Sequence, residues 1–117
     1  NYIVYSNHIP VGIQIGKNTK FEHHGLGCVV HEKATIGSDC RIFQNVTIGA
    51  KWPDKKSKDG VPKIGNKVQI GCGAVVLGNI SIGNNVYIGA NSVVLNDVPD
   101  NSIAVGVPAR IIERNHI

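Results

Sequence analysis

The strongest chemical signal in this chain is a pair of adjacent histidines, His23 and His24, set directly before Gly25-Leu26-Gly27. A neutral imidazole has an unperturbed pKa of about 6.5, so it can take a proton from a hydroxyl at neutral pH. Glycine lets backbone approach a ligand closely, and backbone amides there can meet developing negative charge. The plain alternative is a pair of exposed loop histidines. His31 follows Val30 and reads as a solvent-facing or substrate-side group, and His116 belongs to the tail. The three cysteines, Cys28, Cys40 and Cys72, show neither a CxxC nor a Cys/His zinc spacing, so no metal is expected. None lies in a nucleophile-and-base motif.

A second chemical feature is the polar stretch Ala50–Pro62, which holds Lys51, Lys55, Lys56 and Lys58 together with Trp52. The formal charge of +4 is mild and dispersed. It argues for an anionic small ligand over nucleic acid, with a solvated basic loop as the alternative for the lysines. Trp52 fits packing on a neighbouring subunit or on substrate equally.

These residues are positioned by a repeat. Branched apolar residues recur every six positions at Val30, Ile36, Ile42 and Ile48, and again at Ile64, Ile70, Val76, Ile82, Ile88 and Val94. A small or β-branched residue stands four places after each of these except Ile48, such as Ala34, Cys40 and Val46. Period six predicts an all-β solenoid: a parallel β-helix whose three flat faces close one triangular turn. Few aromatics (5%) and 14 glycines suit its narrow core and tight corners. The beat fails twice. From Phe21 the next opener is Val30, nine residues on instead of six, which predicts a backbone bulge at the histidine pair. After Ile48 the basic stretch reads as a loop thrown out of the solenoid, and such loops often carry function.

The expected organisation is a lead-in over 1–14, with a possible strand at Tyr2-Ile3-Val4-Tyr5, then the β-helix over 15–105 with the protruding loop 50–62. A short C-terminal tail follows over 106–117. The end turns of a solenoid leave open edges to be covered by a tail, a further domain or a partner. Cys40 falls on an inward position and reads as a small buried hydrophobe in a reducing, cytoplasmic setting. No signal peptide or membrane-spanning stretch is evident. The chain starts at Asn1 and contains no Met, so a preceding region is expected.

With this register, the chain resembles the hexapeptide-repeat acyltransferases of left-handed β-helix fold. It is most similar to serine O-acetyltransferases and to relatives that acetylate sugar or capsular-polysaccharide hydroxyls. The motifs are His23-His24-Gly25-Leu26-Gly27, Asn45-Val46-Thr47-Ile48-Gly49, Pro62-Lys63-Ile64-Gly65, Val94-Leu95-Asn96-Asp97-Val98-Pro99 and Gly106-Val107-Pro108-Ala109-Arg110. The resemblance implies an acetyl-CoA-dependent O-acetyltransferase, homotrimeric, with active sites between subunits and no bound metal. It implies a histidine general base and direct attack in a ternary complex, without an acyl-enzyme. Aligning the glycines places that base on His24, while the sugar-acetylating pattern moves it to His23. It also implies acetyl-CoA contacts at Gly49, Ala50, Cys72, Ala90 and Arg110. Where the serine enzymes carry Asp before the base, this chain has His23. Where they carry a second His before Pro-Lys-Ile-Gly it has Val61, and their Asp at the solenoid start corresponds to about His8. These departures lead to an expected sugar or polysaccharide acceptor, with L-serine as the alternative.

Two other classes compete. A γ-class carbonic anhydrase shares the fold but needs three converging His ligands for zinc, and the H-x4-H pair is missing. A non-catalytic β-helix scaffold has no use for paired histidines at a register break.

Overall fold

The computed structural model describes residues 7–51 and 60–113. The expected strand at Tyr2–Tyr5, and Trp52, Lys55, Lys56, Lys58 and His116, lie outside the described residues. In chain order the strands are β1 (Gln14–Ile15), β2 (Lys20–Phe21), β3 (Val29–Val30), β4 (Thr35–Ile36), β5 (Arg41–Ile42), β6 (Thr47–Gly49) and β7 (Lys63–Ile64). They continue with β8 (Gln69–Ile70), β9 (Val75–Leu77), β10 (Ser81–Ile82), β11 (Tyr87–Ile88), β12 (Val93–Val94), β13 (Ser102–Val105) and β14 (Arg110–Glu113).

Each third strand stacks on the same face, which makes the left-handed parallel β-helix. Face one is β1-β4-β7-β10, face two is β2-β5-β8-β11-β13-β14, and face three is β3-β6-β9-β12. Strands of two or three residues suffice because every coil hydrogen-bonds to the coils above and below it. The openers point to the shared axis. Ile42, Ile48, Ile70, Val76 and Ile88 are wholly buried, as are Cys40, Val46, Ala74 and Val86, which stand four places after Ile36, Ile42, Ile70 and Ile82. Each buried Ile or Val contributes roughly 1.5–3 kcal/mol over its exposed state. Among the described residues, the two buried serines are satisfied: the Ser92 hydroxyl accepts from Gly106 N–H, and the Ser102 hydroxyl donates to the Asp100 carbonyl.

Neither break disturbs the register. Ile64 pairs with Ile82, eighteen positions on, and Ile36 pairs with Ile64, twenty-eight positions on, in the same parallel geometry. At the first break the extra chain is expelled at a corner, in the turn Glu22–Gly25. At the C-terminal end β14 turns back antiparallel on β13, with Val105 opposite Arg110 and Ser102 opposite Glu113. The tail thus covers the last strand edge of face two, one of the solutions expected for an open solenoid end.

Candidate active site

The three faces meet at three edges, named here for what they carry. The amide edge joins faces one and two, the histidine edge joins faces two and three, and the loop edge joins faces three and one.

At the first coil of the histidine edge the surplus residues fold into a short 3-10 turn, Glu22–Gly25. His23 (φ 53, ψ 36) and His24 (φ 58, ψ 23) both take the left-handed conformation. For side chains larger than glycine this costs roughly 1–2 kcal/mol per residue, and paired strain of this kind persists only where surroundings impose it. Here the surroundings are visible. Asn7 Nδ2 donates to the His24 carbonyl at 3.2 Å, and Leu26 N–H donates to the His23 carbonyl at 3.1 Å. Gly25 is buried against Ile9 and Phe21. Glu22 is paired with Arg41 at 3.6 Å, and that guanidinium lies over the Phe43 ring. His23 and His24 are both exposed residues.

Two glycines here are dictated by packing. A Cβ at Gly27 (φ +70) would fall on Asn45 Oδ1 of the next coil, and one at Gly73 (φ +74) would fall on Asn91 Oδ1. Beneath the turn, Cys28 is fully buried and its thiol donates to the Phe43 carbonyl at 3.2 Å. Burial pushes that thiol up from its ordinary value of 9.0, against the lowering effect of the Val46 and Asn45 backbone. The Leu26 and Cys28 amides of the glycine-rich bulge close the turn's own bonds, to the His23 and Gly25 carbonyls.

Cys72 and Ala90 lie on this same edge. Backbone bonds from Asn45 N–H to Leu26, Gly73 N–H to Gln44 and Asn91 N–H to Cys72 stack Leu26, Gln44, Cys72 and Ala90 in one column. Gly49 and Ala50 lie on the opposite, loop edge of face three, where Lys51 begins the excursion. Gly49 is not required by the fold. It has no left-handed φ, and a Cβ there would meet only Leu77 Cδ2 at 3.8 Å, an ordinary contact. Arg110 is exposed on β14 of face two. The five expected acetyl-CoA residues are therefore divided between two edges and face two of one chain. Between the two edges, face three turns Val29, Thr47, Val75 and Val93 outward, while the matching row of face one is Gln14, Thr35, Lys63 and Ser81.

Two hollows line the loop edge. One, of about 530 Å³, is bounded by Lys51, Gly78, Asn79, Ile80, Leu95, Asn96 and Asp97. The other, of about 460 Å³, lies between His8, Pro10, Val29, His31, Glu32, Thr47 and Gly49. His31 is half-buried, and its Nδ1 accepts from Lys33 N–H at 3.0 Å. His8 bridges to Val29 on face three. Asn7, which sequence reasoning passed over in favour of His8, is the residue that reaches the histidine pair. No group of three or more His, Cys, Asp or Glu among the described residues is arranged to hold a metal.

Comparison with known proteins fits this geometry. Residues 62–96 match the family of bacterial transferase hexapeptide proteins (six repeats). Over 93% of its length the chain is 46% identical to the serine acetyltransferase of Synechococcus elongatus, covering 43% of that protein. The soybean serine acetyltransferase solved in complex with serine superposes with a TM-score of 0.78 at 46% identity, covering 86% of this chain and 40% of that one. A serine acetyltransferase solved with CoA gives 0.75 at 46% identity, with 86% and 39% covered. This chain resembles the hexapeptide-repeat serine acetyltransferases. It spans about half the length of the curated relatives it matches, or less.

Proposed function

We propose that this chain forms the acyl-transfer β-helix of an acetyl-CoA-dependent O-acetyltransferase whose acceptor is the hydroxyl of L-serine. The observation that carries the reaction class is the histidine pair, held by its neighbours in a strained backbone and exposed at a break in an otherwise regular solenoid. The acceptor rests on the relatives. The sugar or polysaccharide hydroxyl expected from His8, His23 and Val61 has no support among them, since they are named for serine. The serine alternative is therefore the better reading.

Acetyl-CoA supplies the acetyl group as an activated thioester. His24 takes the hydroxyl proton as the serine oxygen bonds to the acyl carbon, and returns that proton to the departing CoA sulfur. His23, left-handed beside it, orients His24 or the acceptor. Gly49 fits the donor: its missing side chain leaves open space that the fold has no need of. Cys72 and Ala90 keep the histidine edge low for the pantetheine arm, and Lys51 and Arg110 offer charge to phosphates.

Gly49 and Ala50 flank one side of face three, and Cys72, Ala90 and the histidines flank the other. Neighbouring prisms that bring unlike edges together unite both sets in a cleft between subunits. The outward valines of face three suit such a contact, and a closed ring of three copies satisfies it. Among the described residues no helix is long and apolar enough to cross a membrane, and three unpaired cysteines suit a reducing, cytoplasmic compartment.

The test is thiol release from acetyl-CoA by the full-length protein, with L-serine set against a panel of sugars. Serine-dependent release supports the proposal, sugar-dependent release restores the other acceptor, and no binding of acetyl-CoA at high micromolar concentration leaves a scaffold. Light scattering reads the trimer.

A further inference from the structure

Gln44 carries the one side-chain oxygen or nitrogen among the described residues that is buried and has no hydrogen-bond partner, its Oε1. Native proteins satisfy nearly all such atoms, so an orphan acceptor asks for an explanation. Its place supplies one. Gln44 stands in the outward column of the histidine edge, above Leu26 of the histidine coil and below Cys72 and Ala90. Successive coils are separated by about 4.8 Å. An extended acyl carrier laid over Ala90 and Cys72, with its thioester at His24, has to cross Gln44.

We propose that Gln44 is a binding residue for the pantetheine arm of acetyl-CoA, its Oε1 accepting an amide N–H of that arm next to the thioester. This rests on the acetyl-CoA reading above. Pantetheine carries secondary amides, whose N–H groups lose water as the arm enters a groove and then need acceptors. Gln44 is half-buried as a residue, and its terminal torsion is broad, so a small rotation brings the amide to the surface of the edge. Cys72 and Ala90 offer no side-chain acceptor of comparable strength, which leaves Gln44 as the polar member of the column. An unpartnered acceptor is a local cost in the free protein, and a ligand that supplies the donor removes it only in the complex.

The experiment uses the full-length protein and Gln44→Met, which keeps the length of the side chain and removes the acceptor. Three quantities are compared: the thermal midpoint without ligand, the Kd of CoA, and the Kd of adenosine 3′,5′-bisphosphate, which has the CoA phosphates at these positions but no pantetheine. The expected result is an unchanged or raised midpoint, CoA bound about five- to tenfold more weakly, and adenosine 3′,5′-bisphosphate bound as before. Equal weakening of both ligands, or CoA affinity unchanged, overturns the role of Gln44. A lowered midpoint with CoA affinity intact assigns the amide to structure instead and also overturns it. If the unaltered protein binds no CoA, the acetyl-CoA reading fails and takes this proposal with it, whereas intact binding with an unaffected variant removes Gln44 alone.

Discussion

The amide edge and the histidine edge turn successive corners of the same coils with different residues. Along the amide edge, Ser38 accepts from Lys17 N–H, Asn66 from Ser38, Asn84 from Asn66 and Asp100 from Asn84, at 2.7–3.2 Å. The next position is left-handed at every level, at Asn18, Asp39, Lys67, Asn85 and Asn101. Each side chain caps the backbone of the coil before it, so this edge is a continuous polar seam. The histidine edge keeps the left-handed column, at Gly27, Asn45, Gly73 and Asn91. In place of the seam it has two adjacent left-handed histidines, an orphan glutamine and small residues. One edge satisfies its polar groups within itself, and the other leaves a buried glutamine oxygen without a partner beside two exposed histidines. On the proposed reading, structure and function are divided by edge.

That division can be broken by substitution. The largest expected effect is on turnover: His24→Ala should lower kcat roughly 100- to 10,000-fold with CoA affinity retained. A greater loss in His23→Ala would move the base by one residue. Next comes Gly27→Ala, whose Cβ falls on Asn45 Oδ1 at a positive φ. It should cost at least about 2 kcal/mol in urea unfolding and displace the histidine turn, so activity falls as well. Gly49→Val is its opposite. It should leave the thermal midpoint within about a degree, because the site is open, and raise the KM for acetyl-CoA at least about tenfold. An equal loss of stability there would refute the claim that the space is kept for a ligand. On the amide edge, Asn84→Ala should remove about 1 kcal/mol, or roughly 4 °C of melting temperature, with kcat unchanged.

The smallest effect is one of pH. Burial raises the Cys28 thiol, so an unfolded thiol ionises before the folded one does. Its contribution to stability is present below about pH 9 and is lost as pH rises beyond that, by at most about 1.4 kcal/mol per pH unit. Chemical unfolding across that range should show a steeper decline in the unaltered protein than in Cys28→Ala.

Much of the fold was legible because period six is a direct readout of coil geometry. The openers from Val30 to Val94 are the buried axis residues, and the nine-residue gap after Phe21 is the turn that carries the histidines. Two things were hidden. Small residues look alike in sequence, and only their coil phase separates Gly27, demanded by Asn45, from Gly49, demanded by nothing in the fold. The contact of Asn7 with His24 spans seventeen positions through a single amide. It leaves no pattern, and a one-residue ambiguity before the first coil was enough to direct attention to His8. The acceptor was read from three departures. Those residues differ from the serine enzymes at three points, whereas the relatives match over 93% of the chain.

The identical pairing of Ile36 with Ile64 and of Ile64 with Ile82 has a consequence for how such a chain acquires new parts. Loop-closure entropy grows only with the logarithm of length. Closing a coil over twenty-eight residues instead of eighteen therefore costs only about 0.4 kcal/mol more. The ten surplus residues of the basic excursion are nearly weightless to the helix that bears them. A corner of this solenoid is thus a place where sequence can be added, lengthened or exchanged almost without consulting the rest of the molecule.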